Sequence, residues 1–174
     1  MEKKYFGIHY ELDYNEIHNA ISKRLTEAGS DYICVVDGVV MSFANRYMDY
    51  MEAVNGGMFS ICDSSYVPLY IKWIYGESYQ QYSGSDIFYD IVRSRRYRMI
   101  FLGTRQVILD GLKENLKQFN PDVENMQFVE LPFNHAEDFD YSAIAKLIEQ
   151  DGAEIIWVAL GAIKQEWFMA QLKP

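Results

Sequence analysis

The sequence predicts an α/β domain: a Rossmann-like parallel sheet of about five or six strands with helices on both faces. Three observations carry this. Short continuous apolar runs, such as Tyr32-Ile33-Cys34-Val35-Val36, Met99-Ile100-Phe101-Leu102 and Ile155 to Leu160, alternate with amphipathic segments of helix length. Each run stops at an aspartate, a glycine or a proline: Asp37, Asp63, Gly103, Pro132 and Gly161. The chain has 174 residues, which suits one domain spanning 1–174 with a sizeable core.

The elements follow in order. Tyr5 to Tyr10 alternates loosely, as an edge strand or hairpin arm does. Asp13 is placed to cap a helix from Tyr14 to Ala28, in which Ile17, Ala20, Ile21 and Leu25 share a face and Gly29 ends the run. The strand over 32–36 ends at Asp37-Gly38, and one helix follows to Val54, stopped by Asn55-Gly56-Gly57. Met58 to Cys62 is the next strand. A tyrosine-rich segment, Tyr66 to Tyr82, carries Trp73 and a single proline. Gly84-Ser85-Asp86 opens a helix over 87–95. After the strand at 99–102, Val107, Leu109, Leu112, Leu116 and Phe119 fit an amphipathic helix closed by Asn120-Pro121. Gln127 to Leu131 is a strand, Asp138 or Asp140 caps a helix to Gln150, and a last helix begins near Ile163.

Composition narrows the function classes. Apolar residues at 49% and charged residues at 24% describe a soluble globular chain. A net charge of −9 argues against nucleic acid as a partner, because phosphate neutralisation dominates that affinity. It leaves room for a locally basic pocket. Cys34 and Cys62 both lie in predicted strands and are too few for a disulfide framework, so they read as reduced core residues of a cytoplasmic protein. Met1-Glu2-Lys3-Lys4 is followed by no apolar leader region. The apolar runs fall short of the roughly 20 residues a spanning helix needs.

In a parallel sheet of this kind, ligands bind at the carboxyl ends of the strands. Asp37 and Asp63 end neighbouring predicted strands. A carboxylate there can serve as a general base if burial raises its pKa, or can simply cap the next helix. Gly103-Thr104 lets backbone N–H groups approach a phosphate at a helix N-terminus, or serves a tight turn. Lys164-Gln165-Glu166 opens a helix. A solvated first turn would explain Glu166, whereas a lysine there opposes the helix dipole and favours ligand contact. Asp138-Phe139-Asp140 has a metal-binding spacing but precedes a helix and reads as capping. His9, His18 and His135 are scattered, and no zinc-ligand spacing is present. Arg93, Arg95, Arg96 and Arg98 close a helix, where cations suit the dipole, with an anion-docking patch as the other reading.

The stretch Val158-Ala159-Leu160-Gly161-Ala162-Ile163-Lys164-Gln165-Glu166-Trp167-Phe168 resembles the motif V-A-L/M-G-x-P-K-Q-E-x-W/F of the WecG/TagA/CpsF glycosyltransferase family. Ile163 replaces the proline. Phe101-Leu102-Gly103 looks like the family's F-L-L/V-G-G, with Thr104 for the second glycine. Gly84-Ser85-Asp86-Ile87 looks like its G-x-D-L, and Pro132-Phe133 stands where it has G-Y-F. The likeness runs over nearly all of residues 5–172, and the VALG…KQE block is its specific part.

The resemblance implies transfer of a sugar from a UDP donor, of the UDP-N-acetylmannosamine type, to a polyprenyl-diphosphate-linked acceptor, with inversion and without a metal. It places the work in cell-envelope polysaccharide synthesis, in the cytoplasm at the inner face of the membrane. It implies no cofactor beyond the donor itself. The family's catalytic base is an aspartate at a strand end. The spacing to G-x-D-L selects Asp63, with Ser64 for the family's glycine. Asp37 then stands for the asparagine of T-x-N, with Val35 for the threonine, and Gln81 for an arginine. Gly103, Thr104, Lys164, Gln165 and Glu166 complete the substrate-binding set, facing the same cleft as Asp63. The family carries further sequence beyond this motif, ending in a basic, apolar tail that docks on the membrane, so the chain is expected to be a core of such an enzyme. The replaced positions leave a second reading open: a weakened nucleotide-sugar or lipid-diphosphate binding module. Whether copies of the chain assemble into a homo-oligomer is left open.

Overall fold

The computed structural model describes residues 4–173, which form a mixed α/β chain with parallel strands. It divides into two compact units, one of residues 1–87 and 169–174, the other of residues 88–168.

The first unit opens on a hairpin of β1 (Lys4–Tyr5) and β2 (Ile8–His9). Its two-residue loop has φ 53° at Phe6 and 79° at Gly7. Positive φ at both positions is the geometry whose twist matches a hairpin. Helix α1 (Tyr14–Arg24) starts where expected, because Asp13 accepts the Asn15 and Glu16 amides. It ends earlier than Ala28. β3 (Ile33–Val36) and β4 (Phe59–Cys62) pair in parallel, with Val36 opposite Cys62. Tyr10 adds a parallel bridge to Ser60.

Between β3 and β4 stand two helices rather than one, α2 (Gly38–Ala44) and α3 (Met48–Asn55). Asn45 explains the break. Its side-chain amide donates to the Met41 and Phe6 carbonyls, which ties the chain to the hairpin loop. Tyr47 is then extended, at φ −124°, and a new helix begins.

The tyrosine-rich segment holds α4 (Tyr66–Tyr75). Pro68 lies in its first turn, where an amide would have no helical partner anyway. Gly76 ends it at φ 74°. Helix α5 (Gly84–Ser94) is opened by a reciprocal cap. Asp86 accepts the Ser83 amide at 2.9 Å, and the Asp86 amide donates to the Ser83 hydroxyl at 3.2 Å. The Ser83 hydroxyl, donating to the carboxylate at 2.6 Å, and then the Ser83 amide hold the exposed Asp86 carboxyl below the usual carboxylate range.

Tyr32 donates its hydroxyl to the Ala53 carbonyl. Burial, then Cys34 and Asp31, pushes its pKa from 10.0 up to about 12. The fold therefore favours the neutral phenol. That contribution is complete below pH 10 and is lost as pH rises through about 12. Thermal melts across this window should fall, and fall less steeply in Tyr32→Phe. The drop should shrink without vanishing, because burial also raises Tyr141 to about 12.

In the second unit, β5 (Met99–Gly103) lies between β6 (Gln127–Val129) and β7 (Ile155–Ala159), all parallel. Phe101 and Phe128 stand in register, with rings stacked 4.2 Å apart. Met99, Ile100, Phe101 and Leu102 are buried, as a central strand requires. Helix α6 (Gln106–Lys117) follows β5, and α7 (Tyr141–Asp151) precedes β7. Asp140 is the cap of α7, through the Ala143 amide, while Asp138 lies in a short 3-10 turn. Helix α8 (Lys164–Leu172) follows β7.

The four arginines are exposed and make contacts within this unit, Arg96 over the Tyr97 ring. Arg98 grips the buried Asp151 carboxylate through Nη2 at 2.7 Å and Nε at 3.0 Å. Arg95 donates to the Phe119 carbonyl, and Arg93 stacks over the Phe119 ring.

The parallel strands are thus those the sequence predicts, but they hydrogen-bond as two sheets, of two and three strands. Apolar runs identify parallel strands, although β7 is only half-buried. They do not say which strand lies beside which, because pairing is decided by crossovers and packing distant in sequence.

Candidate functional site

Two sets of strand ends hold the residues that the sequence singled out. In the first unit, Asp37 and Asp63 follow the paired residues Val36 and Cys62, so they stand side by side at the carboxyl edge of β3 and β4. The Asp63 amide donates to the Val36 carbonyl at 2.9 Å and holds this edge together.

Their carboxylates do different things. Asp37 caps α2, its Oδ1 accepting the Val39 and Val40 amides at 2.9 and 2.8 Å. Asp63 caps no helix of its own. Its Oδ1 accepts the amide of Gly84, at the start of α5, at 2.9 Å. A Cβ at Gly84 would lie 2.6 Å from Val35 Cγ1, so glycine lets the first turn of α5 approach β3 and reach Asp63. The half-buried Asp63 keeps Oδ2 out of every hydrogen bond among the described residues. One oxygen is anchored and the other takes no hydrogen bond among the described residues. Gln81 is exposed in the segment before α5.

Tyr10 belongs to this edge too, and sequence reasoning missed it. It is buried, and its hydroxyl finds no hydrogen-bond partner among the described residues. Burial, then Cys62 and Asp37, pushes its pKa upward. Alternation marked Tyr10 only as part of a strand. Nothing local reveals that its hydroxyl ends buried without a partner.

In the second unit, the ends of β5, β6 and β7 come together. Gly103 has φ 127° and Thr104 φ 32°. A Cβ on Gly103 would lie 2.3 Å from the Ala159 oxygen, so the glycine serves close strand packing. The Thr104 amide donates to the same oxygen at 3.2 Å. That corrects the expectation that this amide holds a phosphate. At the N-terminus of α6 the Gln106 amide donates to Glu130 Oε2 at 2.8 Å, so a carboxylate already occupies a place that suits an anion.

Lys164 reaches from the first turn of α8 to the Asn134 carbonyl at 3.0 Å, with its ammonium 4.3 Å from the centre of the exposed Phe133 ring. It joins the segments after β6 and β7. Gln165 is half-buried; its backbone amide donates to the Gly161 carbonyl at 3.1 Å, and none of the described residues hydrogen-bonds its side-chain amide. Glu166 departs from the solvated first turn expected of it. It is fully buried and accepts the Ile163 amide at 2.7 Å through Oε2. Glu166 therefore shapes the turn from inside.

That turn is strained. Ile163 has φ 77°, an unfavourable region for a β-branched residue. Proline, which the family resemblance puts here, cannot adopt this angle and has no amide for Glu166. Ile163→Pro should therefore destabilise the chain by about 3 kcal/mol, read as a lower urea midpoint at constant m.

Among the described residues no group of three His, Cys, Asp or Glu side chains is gathered as a metal site requires. No described helix is long and apolar enough to cross a membrane.

Against known families, residues 4–174 match the model described as the glycosyl transferase WecG/TagA/CpsF family. No individual curated protein matches the chain.

Proposed function

Because the chain belongs to the WecG/TagA/CpsF family of glycosyl transferases, we propose that it transfers a sugar from a UDP donor, of the UDP-N-acetylmannosamine type, to a lipid-diphosphate-linked acceptor at the inner face of the membrane. Membership of the family makes it a transferase-type chain of cell-surface polysaccharide synthesis. The observation that carries the finer reading is the Asp63 carboxylate, anchored through Oδ1 to the Gly84 amide with Oδ2 left over.

In the proposed reaction, Asp63 Oδ2 accepts the proton of the acceptor hydroxyl. The acceptor oxygen forms its bond to the anomeric carbon from the face opposite the leaving group. The bond from that carbon to the β-phosphate oxygen breaks, and UDP leaves with the electron pair, which inverts the centre. Anchoring one carboxylate oxygen holds the other in place and lowers the cost of reaching the reactive geometry. We assign donor contacts to Lys164 and Gln165, on the motif match. Lys164 brings a cation that offsets charge on a departing diphosphate. Glu166 acts as a positioning residue through the Ile163 turn.

A second reading has its own observation. Glu130 fills the N-terminus of α6, and the Thr104 amide is used within the fold. Both remove phosphate donors, as a weakened binding module would. UDP release with a panel of sugar nucleotides and a soluble diphosphate-lipid analogue tests the first reading. Calorimetric binding of UDP without turnover by any donor would select the second.

A further inference from the structure

Helix α4 breaks the rule that a surface helix shows a polar face to water. Val67, Pro68 and Ile71 face the core. The opposite side carries Tyr66, Leu69, Tyr70, Trp73 and Ile74, all exposed, with Leu69 at 61% and Trp73 at 83%. These follow the i, i+3, i+4, i+7, i+8 spacing of one continuous helical stripe. A helix that is apolar all round is normally covered, and a stripe of this size marks an interaction surface.

We propose that this face of α4 docks on a phospholipid surface, lying in the plane of the membrane interface. Charge and residue type choose this occupant. The chain has 25 acidic residues, yet none lies among the ten residues of α4, whose only charge is Lys72 on its flank. An acid on this helix would oppose an anionic leaflet, and a lysine beside the stripe reaches its headgroups. Tyrosine and tryptophan pair an apolar body with a polar tip, which suits the headgroup level. A second copy fits less well. A self-complementary contact would bury these polar tips, whereas the headgroup level keeps them hydrated. The helix has 10 residues, too short to span, so it lies flat.

The docking has a consequence that rests on the proposed function. α4 begins at Tyr66, directly after Asp63-Ser64-Ser65. Seating the helix at the headgroup boundary keeps the strand end that carries Asp63, three residues before α4, close to that boundary.

The test is flotation of the purified chain with vesicles of phosphatidylcholine and phosphatidylglycerol. Wild type should float with the vesicles. Trp73→Glu and the double variant Leu69→Glu/Trp73→Glu should reduce binding at least about tenfold while the melting temperature stays within error. Lys72→Glu should weaken binding to the mixed vesicles more than to phosphatidylcholine alone. UDP release with a short-chain soluble acceptor should be unchanged in Trp73→Glu. No vesicle binding by wild type, or equal binding by the double variant, overturns the proposal. So does a dimer in light scattering that Trp73→Glu dissociates. Vesicle binding without turnover by any donor leaves the docking standing and removes the glycosyltransferase reading. Turnover on the soluble acceptor without vesicle binding does the reverse.

Discussion

Asp63→Asn is expected to lower sugar transfer by about a thousandfold, the scale of a lost general base, while leaving the fold intact. The amide oxygen of asparagine can still accept the Gly84 amide that Asp63 Oδ1 accepts at 2.9 Å. What it cannot do is take a proton. Asp63→Ala removes both roles, so it should lose activity and also loosen the start of α5, where an orphaned amide costs about 1–3 kcal/mol. The two variants together separate chemistry from structure. The checks are the initial rate of UDP release and the urea midpoint of each. Full activity in Asp63→Asn would sink the assignment.

The largest stability effect is expected at Gly103. Gly103→Ala places a methyl 2.3 Å from a backbone oxygen, that of Ala159, at φ 127°. Neither side can yield cheaply, since β5 is the central strand of its sheet and Ala159 stands in register with Gly103 on β7. Strand separation would also break the bond from the Thr104 amide to the same oxygen. The loss should exceed about 4 kcal/mol, enough to unfold a marginal domain. Gly111 supplies the control. It lies inside α6 with no atom within 4 Å of its Cβ position. Gly111→Ala should be neutral or stabilising by up to about 1 kcal/mol. Equal effects at the two glycines would mean that the β5–β7 contact is looser than the geometry shows.

Much of this was legible in local sequence. Asp13, Asp37 and Asp140 cap the helices they precede, because an aspartate before an amphipathic run has one easy place to put its oxygen. Apolar runs bounded by breakers became parallel strands, buried throughout in β4 and β5 and only half-buried in β7. Other features depended on partners far along the chain. The break between α2 and α3 is made by Asn45 reaching the loop at Phe6, and no periodicity in 38–54 contains that loop. Glu166 read as a solvated first-turn acid until the fold buried it. Tyr10, the Glu130 cap on α6 and the bond from Lys164 to Asn134 each join segments that local patterns treat as independent.

By itself, the sequence determined the alternation of strand and helix, the strand-end positions of Asp37 and Asp63, and the family, through VALG…KQE. These follow from short-range periodicity, turn chemistry and a contiguous motif, all written within a few residues. Only the tertiary structure decided how the parallel strands divide between two sheets, that Asp63 is held through one oxygen, that Thr104 spends its amide on Ala159, and that α4 turns a second apolar face outward. Those outcomes depend on which distant groups meet, and burial and hydrogen-bond satisfaction are properties of the folded arrangement rather than of any segment.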